Sequence, residues 1–402
     1  MNGATQRETW VDGAHGSAHD VDNLPYAVVV PDGEAPQVGV RIGDQVLLAG
    51  EAARALRPEW VPLLDASRLN PLLAAGRATW TAVRAWLQDL LTDPQAQTSV
   101  RLVPVDEARL LLPFEVADYV DYYASIHHAT NVGRIFRPDG DALMPNWRHL
   151  PVGYHGRAGS VVVSGTPVRR PSGQRKAPAD DAPTFGPSMR LDIEAELGFV
   201  VGRSVPLGRP VGADEYEDTV FGVVGLNDWS ARDVQAWEYV PLGPNLGKSF
   251  ATSISAWVTP LDALAPAVID LPEQDPPVLP YLRESGRSAL DVDVEVELNG
   301  TVVSRPPYAT MYWSPAQMLA HLTVNGASLR VGDLYGSGTI SGPEKDQRGS
   351  FLELTWGGTE PLVVDGRERT FLEDGDEVVL RYSAPGRRGR IGLGEVRGTI
   401  VG

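Results

Sequence analysis

Residues 221–252 hold many side chains that could do chemistry. An apolar run ends there in Asn227 and Asp228, and a short helical pattern begins behind Ser230. A rotation of 100° per residue puts three polar side chains of this helix on one stripe. They are Arg232, Gln235 and Tyr239. The chain then returns Lys248 and Thr252 toward the same region. The segment combines a carboxylate with several hydrogen-bond donors, although a solvated surface helix would give the same pattern.

The string DYYASIHHATNVG is a second concentration of reactive groups. As a strand, its first part places Asp121 and Tyr123 on one face, and Ser125 then caps a short helix from Ile126. His128 falls in the first turn, where the positive end of the helix favours a neutral imidazole that can act as a base. A lone histidine can equally be a satisfied structural residue. Loops that follow carry three more polar side chains, Arg137, Tyr154 and Arg157.

Acidic residues alternate with apolar ones in LDIEAEL, which predicts a strand with Asp192, Glu194 and Glu196 on one face. Such a face is either open to water or holds a cation. Residues 291–298 show the same alternation, but a hairpin signal at residues 299–300 follows, so we expect an ordinary surface strand there. Glu194 and Glu196 instead share a domain with Asp121 and Asp228. Four carboxylates without sulfur suit Ca²⁺ or Mg²⁺ better than Zn²⁺.

Two further polar groups lie between residues 335 and 357. Thr339 stands in the Gly-rich loop YGSGTISGPE, whose amides could form an anion site or only a turn. Glu353 lies in SFLELTW, which we predict to be a strand. Its large apolar neighbours indicate that this acid is at least partly buried and needs a partner.

Composition sets limits on the function. The chain of 402 residues has a formal net charge of -17, which argues against nucleic-acid binding because phosphates need a basic face. It contains no cysteine, which excludes disulfides and thiolate catalysis. The first thirty or so residues lack the order of a signal peptide, and no apolar run reaches membrane length. We therefore expect a cytoplasmic protein with no membrane partner.

Short apolar runs separated by turn signals predict a mainly β fold with minor α. We divide the chain into a flexible N-terminal arm at 1–22, a small β domain with a helical section at 23–115, and a larger domain at 116–402. The helical section opens at Asn70, before a proline at the first helical position. It continues with apolar residues at helix spacing, namely Trp80, Val83, Leu87 and Leu90.

Several strings of this sequence resemble motifs of the fumarylacetoacetate hydrolase family. The similarity rests on DYYASIHHATNVG, LPVGYHGR, LDIEAELGF, NDWSARDVQAWEYVPLGP with LGKSF, and GSGTISGPE through LEL, which cover most of residues 113–360. It implies an SH3-like β-barrel N-terminal domain, a mixed β-sandwich roll after it, and a homodimer. It also implies cleavage of 4-fumarylacetoacetate, a dianionic β-diketone, into fumarate and acetoacetate, the last step of tyrosine and phenylalanine catabolism.

The resemblance also assigns catalytic and metal roles position by position. His128 matches the general base, and Glu353 matches the acid that orients it. The groups around the developing oxyanion match Arg232, Gln235 and Lys248. The ligands of a primary divalent cation, Ca²⁺ or Mg²⁺, match Asp121, Glu194, Glu196 and Asp228. A second, structural cation site for Mg²⁺ matches Lys248 and Thr252 together with Asp228.

Substrate contacts follow from the same resemblance. They match Tyr123, Arg137, Tyr154, Gln235, Tyr239 and Thr339. The implied chemistry fits these residue types, because hydrolysis needs a base for water, donors for the oxyanion and a cation that stabilises the enolate leaving group. Two alternatives stay open: another metal-dependent β-diketone or acylpyruvate hydrolase or decarboxylase of the same superfamily, and a Ca²⁺-stabilised β-sandwich binding module without catalysis.

Overall fold

The computed structural model describes residues 8–177 and 179–402. Its N-terminal part is built on a five-stranded antiparallel sheet with non-sequential strand order. From edge to edge the strands are Leu102–Pro104, Gln45–Leu48, Gln37–Ile42, Tyr26–Val30 and Arg109–Leu110. Four α-helices accompany the sheet: Ala49–Leu56, Val61–Leu64, Asn70–Ala74 and Arg77–Thr92.

The helical section predicted from Asn70 consists of two separate helices. Gly76 divides them with a φ of +80°, a left-handed conformation that a glycine adopts without strain. In the second helix, Trp80, Val83, Leu87 and Leu90 are buried, as their spacing predicted. The Asn70 side chain does not cap its helix and instead pairs with the backbone of Glu115.

The C-terminal part contains two main sheets. The larger sheet is mixed. Two neighbouring pairs of its strands are parallel, Tyr119–Tyr122 with Leu334–Gly336 and Thr252–Ile254 with Val161–Val163. In order its strands are Gly153–His155, Tyr119–Tyr122, Leu334–Gly336, Ala195–Val201, Val220–Asp228, Thr252–Ile254 and Val161–Val163, with Thr259–Pro260 paired beside Val220–Asp228. The other main sheet orders Thr301–Ser304, Asp293–Leu298, Glu377–Pro385, Arg390–Val401 and Val168–Arg169.

These two main sheets pack face to face. The Tyr382 hydroxyl from the smaller sheet donates to the carbonyl of Leu226 in the larger one, at 2.9 Å. Its ring lies against Gly225, where a Cβ atom would be 2.3 Å from a ring carbon. The apolar core lies between the sheets, and the predicted mainly β sandwich is confirmed.

Shorter elements complete the domain. Paired short strands are Ser172–Arg175 with Thr184–Pro187, Leu191–Asp192 with Ser230–Ala231, Val268–Ile269 with Ala289–Leu290, and Leu362–Val364 with Arg367–Arg369. The helices are Ile126–Phe136, Tyr216–Thr219, Arg232–Glu238, Leu261–Leu264, Pro315–Thr323 and Phe351–Leu354. Within the described residues, no helix combines the length and the apolarity needed to cross a lipid bilayer.

Several local predictions can be compared with these elements. The Ser125 hydroxyl accepts from the amide of His128, so the predicted cap is confirmed. The predicted helix start behind Ser230 is off by one residue, because Ser230 lies in a short strand and Ala231 precedes the helix. The strand predicted at Glu353 is wrong, because Asp192 accepts from the amides of Phe351 and Leu352 and fixes a helical turn there.

The flexible arm predicted for residues 1–22 is wrong for residues 8–22, while residues 1–7 lie outside the described residues. Val11, Ala14 and Val21 are buried in the N-terminal core. The indole of Trp10 donates to the carbonyl of Leu90, at 2.7 Å. The small polar residues that suggested an arm form tight turns, so the few apolar side chains between them suffice to dock the segment.

His19 lies in this docked segment, so the pH dependence of protein stability tests the docking. Burial, aided by Arg41, lowers the pKa of His19 to about 3. Because the unfolded value is about 6.5, the unfolded chain binds more protons, and stability present above that pH is lost as the pH falls toward 3. We expect His19 to lower the free energy of unfolding by about 2 kcal/mol between pH 7 and pH 5.

Urea unfolding of wild type and His19→Gln at both pH values measures this difference. The carboxylates titrate alike in the two proteins, so the comparison isolates His19. The variant should lose less stability on acidification. Equal losses in the two proteins would contradict a buried, neutral histidine at this position.

Candidate functional site

Three carboxylates meet at one end of the large sheet. One oxygen each from Asp121, Glu196 and Asp228 lies within 4.8 Å of the others, and all three residues are buried. Their strands lie close together in the sheet, so the register brings together residues that are far apart in sequence. Gly336 makes room for them, because a Cβ atom there would be 2.7 Å from Glu196 Oε2.

The three carboxylates repel one another, and burial removes the water that would stabilise their charges. Burial and the charge of Asp228 raise the pKa of Asp121 to about 6. Burial, Asp121 and Asp228 raise the pKa of Glu196 well above its ordinary value. Glu196 Oε1 is buried without a hydrogen-bond partner. An unpartnered buried carboxylate oxygen among other carboxylates is what a hard cation would satisfy, so these residues fit a divalent ion.

Two cationic side chains enter the cluster. Arg157 donates to Asp228 Oδ1 at 2.6 Å and to Asp121 Oδ2 at 2.7 Å. Lys248 Nζ lies 2.9 Å from Asp228 Oδ2. Burial raises the pKa of Asp228, but the charges of Arg157 and Lys248 outweigh it, and the pKa lies below its ordinary value. The sequence indicated Arg157 only as a polar loop residue; its position in a string shared with Tyr154 was the available signal.

Glu194 lies in the same network but pairs with cations. It accepts from Arg232 at 2.8 Å and from the ammonium of Lys248. Its carboxylate is not among the three that converge, and its role as a metal ligand stays a prediction. Lys248 thereby bridges Glu194 and Asp228.

At the second cation site expected at Asp228, Lys248 and Thr252, the Asp228 carboxylate contacts both of the other residues. The Thr252 hydroxyl donates to Asp228 Oδ1 at 3.1 Å, beside the Lys248 contact. Arg157 Nη1 approaches the same Thr252 oxygen, at 3.5 Å. Positive charge from protein side chains is therefore already present here, and a second metal ion stays a prediction.

His128 and Glu353 form the expected pair. His128 Nδ1 lies 2.6 Å from Glu353 Oε2, and both side chains are buried. Asn131, Ser341 and Ser350 also donate to this carboxylate. Burial raises the pKa of Glu353, but His128 and these hydrogen bonds outweigh it and lower the pKa below its ordinary value. An ionised Glu353 holds Nδ1–H and leaves Nε2 as a proton acceptor.

Arg232 is held by Asp192, to which the sequence patterns assign no catalytic or metal role. Asp192 Oδ2 accepts from Arg232 Nε at 2.8 Å, while the same carboxylate receives the two amides at residues 351 and 352. Asp192 thus ties the arginine to the helical turn that carries Glu353. Its place on the acidic face beside Glu194 was the only sequence signal. Arg232 Nη1 also donates to Gln235 Oε1 at 3.1 Å, whereas Nη2 is buried without a partner.

The family follows from two model matches that together span nearly the whole chain. Residues 119–401 match the fumarylacetoacetate hydrolase C-terminal model, and residues 22–113 match the fumarylacetoacetase N-terminal model. The chain belongs to the fumarylacetoacetate hydrolase family. The resemblance stated from the motifs is confirmed. The domain boundary near residue 115 stays a prediction; it falls between the two matched ranges.

Curated relatives of this family member are similar over their whole length. Fumarylacetoacetase of Rattus norvegicus is 44% identical, covering 96% of this chain and 97% of the relative. Fumarylacetoacetase of Caenorhabditis elegans is 45% identical, covering 98% and 99%. Among solved structures, a fumarylacetoacetate hydrolase from Exiguobacterium antarcticum aligns with a TM-score of 0.58 at 17% identity, over 94% of this chain and 99% of that one. That structural likeness concerns the fold.

The residues expected to contact the substrate differ in how close they lie to His128 and the carboxylate cluster. The Tyr123 ring stands edge-on to His128, at 5.3 Å between centroids. The Tyr154 hydroxyl accepts from Arg157 Nη2 at 3.0 Å. Thr339 is buried with its hydroxyl oxygen unpartnered. Arg137 instead donates to the carbonyl of Ala142, and the Tyr239 side chain is 45% exposed, so these two residues stand apart from the carboxylate cluster.

Proposed function

We propose that this protein hydrolyses a carbon-carbon bond of 4-fumarylacetoacetate to give fumarate and acetoacetate. The observation that carries the proposal is the buried His128–Glu353 pair, whose helical turn Asp192 connects through Arg232, Glu194 and Lys248 to the three converging carboxylates. Identity above 40% to fumarylacetoacetases over the full chain supports the same substrate.

The cation of the site is proposed to be Ca²⁺ or Mg²⁺. Asp121, Glu196 and Asp228 would hold it. Glu194 would be a fourth ligand if one of its oxygens exchanged its contact with Arg232 or Lys248 for the ion. Oxygen ligands without sulfur favour these hard ions. When bound, such an ion acts as a Lewis acid toward the oxygens of a β-diketone and lowers the energy of an enolate leaving group.

His128 is the proposed base. With Glu353 fixing Nδ1–H, Nε2 can take a proton from water and later return it to the departing carbon. Contact with His128 and hydrogen bonds from Ser341, Ser350 and Asn131 keep Glu353 ionised against the effect of burial, which raises its pKa. The pair therefore needs no rearrangement before it can accept a proton.

Arg232, Lys248 and Gln235 are the proposed donors to the oxyanion. Arg232 Nη2 has no hydrogen-bond partner, and the ammonium of Lys248 uses two of its three protons on carboxylates. Each group has a donor to spare, and preorganised donors of this kind contribute about 3 kcal/mol each in related enzymes. Buried carboxylates keep both cations charged, because they raise the pKa of Arg232 and Lys248 against the effect of burial.

Substrate binding and assembly complete the proposal. Tyr123, Arg137, Tyr154, Tyr239 and Thr339 contact the dianionic substrate, which requires the half-buried Arg137 and the exposed Tyr239 to move toward it. The protein works as a cytoplasmic homodimer. Large exposed apolar side chains near the helix Arg232–Glu238 support self-association, among them Leu242 at 95% and Phe185 at 76% exposure.

Loss of absorbance of the conjugated substrate, followed with Ca²⁺, Mg²⁺ or EDTA present, tests the proposed activity. We expect turnover with either ion, none in EDTA, and fumarate and acetoacetate in equal amounts. An acylpyruvate as the better substrate would favour another hydrolase of the family, and release of carbon dioxide would favour a decarboxylase. Ion binding without turnover of any of these compounds would favour a binding module.

A further inference from the structure

Arg157 adopts a backbone conformation that needs a reason. Its φ of 74° and ψ of 10° lie in the left-handed region, which costs energy for a side chain with a Cβ atom. Such a residue persists only where its surroundings hold it in place. Its side chain is 5% exposed, and the strain is offset by what the guanidinium contacts.

The guanidinium of Arg157 is held from several sides. It bridges Asp121 and Asp228 through Nη2 and Nη1, and a second Asp228 contact from Nη2 measures 3.0 Å. The ring centroids of Tyr119 and Tyr154 lie 4.9 and 5.4 Å from its central carbon. This is the contact set of a fixed charge between two carboxylates, in an aromatic cage.

The charge balance of the network is informative. Five buried carboxylates are linked by these contacts: Asp121, Asp192, Glu194, Glu196 and Asp228. Three cationic side chains face them: Arg157, Arg232 and Lys248. With all of them ionised, two negative charges remain, which one divalent ion neutralises. A second divalent ion would leave the buried network positive, at a cost in solvation.

We propose that Arg157 is the resident counter-ion of this cation site. It holds Asp121 and Asp228 together when the divalent ion is absent, shares them with the ion when it is present, and takes the place assigned to a second metal ion beside Thr252. The site then takes one divalent ion per chain. The inference rests on the proposed function in needing a divalent ion at the three converging carboxylates.

Melting temperatures of wild type and Arg157→Gln, each with EDTA and with Ca²⁺, test the shared role. Without the ion, the variant leaves Asp121 without its ion-pair partner and Asp228 with Lys248 alone, and it should melt about 5 °C lower than wild type. With saturating Ca²⁺ the deficit should shrink by half or more, because the ion supplies charge to the same oxygens. Arg157→Lys should show a smaller deficit than Arg157→Gln.

Arg369→Gln is the matched control. Arg369 forms a buried pair with Asp376, at 2.7 Å, and the two residues belong to a different part of the domain. Its deficit should be the same with and without Ca²⁺. If the deficit of Arg157→Gln is likewise independent of Ca²⁺, Arg157 is a purely structural residue and the proposal is overturned.

Metal content after gel filtration, measured by mass spectrometry, tests the stoichiometry. One tightly held ion per chain is expected in wild type; two would overturn the counter-ion role. If wild type binds neither Ca²⁺ nor Mg²⁺, the cation site of the proposed function is wrong. The metal content of wild type alone shows this, without any variant. Should Arg157→Gln not fold, Arg157→Gln with Asp121→Asn, which removes one charge of each sign, should fold; its failure would also count against the proposal.

Discussion

Replacing His128 with asparagine should lower kcat for fumarylacetoacetate by about 10²- to 10⁴-fold, the range that loss of a positioned general base produces. Asparagine keeps a donor for Glu353 Oε2 and avoids leaving that buried carboxylate exposed to an empty space. It has no group that can take a proton from water at neutral pH. The loss should therefore appear in kcat, with KM changed little.

His127→Asn is the matched control for this prediction. His127 is the neighbouring residue of the same helical turn, and it is only half-buried. Its replacement should leave kcat within about threefold of wild type, since surface substitutions seldom matter. Ca²⁺ affinity should be unchanged in both variants because neither histidine touches the converging carboxylates. Turnover retained by His128→Asn would remove the base assignment, and loss of Ca²⁺ binding would move His128 into the cation site.

Local signals in the sequence predicted the parts of the site that depend on neighbours in the chain. Ser125, followed by a helical pattern, predicted the first-turn position of His128 because a cap and the turn it closes are only three residues apart. Strict alternation in residues 291–298 predicted a half-exposed strand, and burial there does alternate. Asn299 and Gly300 both have positive φ, as the hairpin signal requires.

Pairings across the chain were beyond such signals. Arg157 and Asp228 are 71 residues apart, so nothing local shows that one neutralises the other. The alternation that put Glu194 and Glu196 on one face was correct in outline. It could not show that Arg232 and Lys248 would draw Glu194 to one side while Glu196 turned to Asp121. Knowledge of the family supplied the list of residues, and tertiary packing decided which of them meet.

The predictions of a strand at Glu353 and of a flexible arm at residues 8–22 were wrong for a different reason. The apolar neighbours of Glu353 fit a buried strand as well as one buried helical turn, and only the amide contacts with Asp192 decide between them. Residues 8–22 are rich in Gly, Ser and Asp, which usually marks an exposed segment. Hydrogen bonds to the backbone at Leu91 and Gly392, on two separate parts of the chain, hold it down.

Glu196→Gln tests the cation site with opposite effects on two quantities. Glu196 has one buried oxygen without a partner, and its neighbours Asp121 and Asp228 repel its charge. Removing that charge should raise the melting temperature of the metal-free protein. The same change removes a ligand, so Ca²⁺ affinity measured by calorimetry should fall by at least about 100-fold, and kcat/KM at limiting Ca²⁺ should fall with it.

Glu295→Gln separates this prediction from a general effect of lost acidic charge. Glu295 lies in the strand Asp293–Leu298, whose sequence alternation is like that of the acidic strand in the site, but its partner is the exposed Arg305. That variant should match wild type in Ca²⁺ affinity and melt within about 2 °C of it, because surface ion pairs contribute little. A structural acid at position 196 would give a Glu196→Gln protein that is less stable without metal and binds Ca²⁺ normally. Only a residue whose charge is unfavourable until a cation arrives gives a gain in metal-free stability together with a loss of affinity.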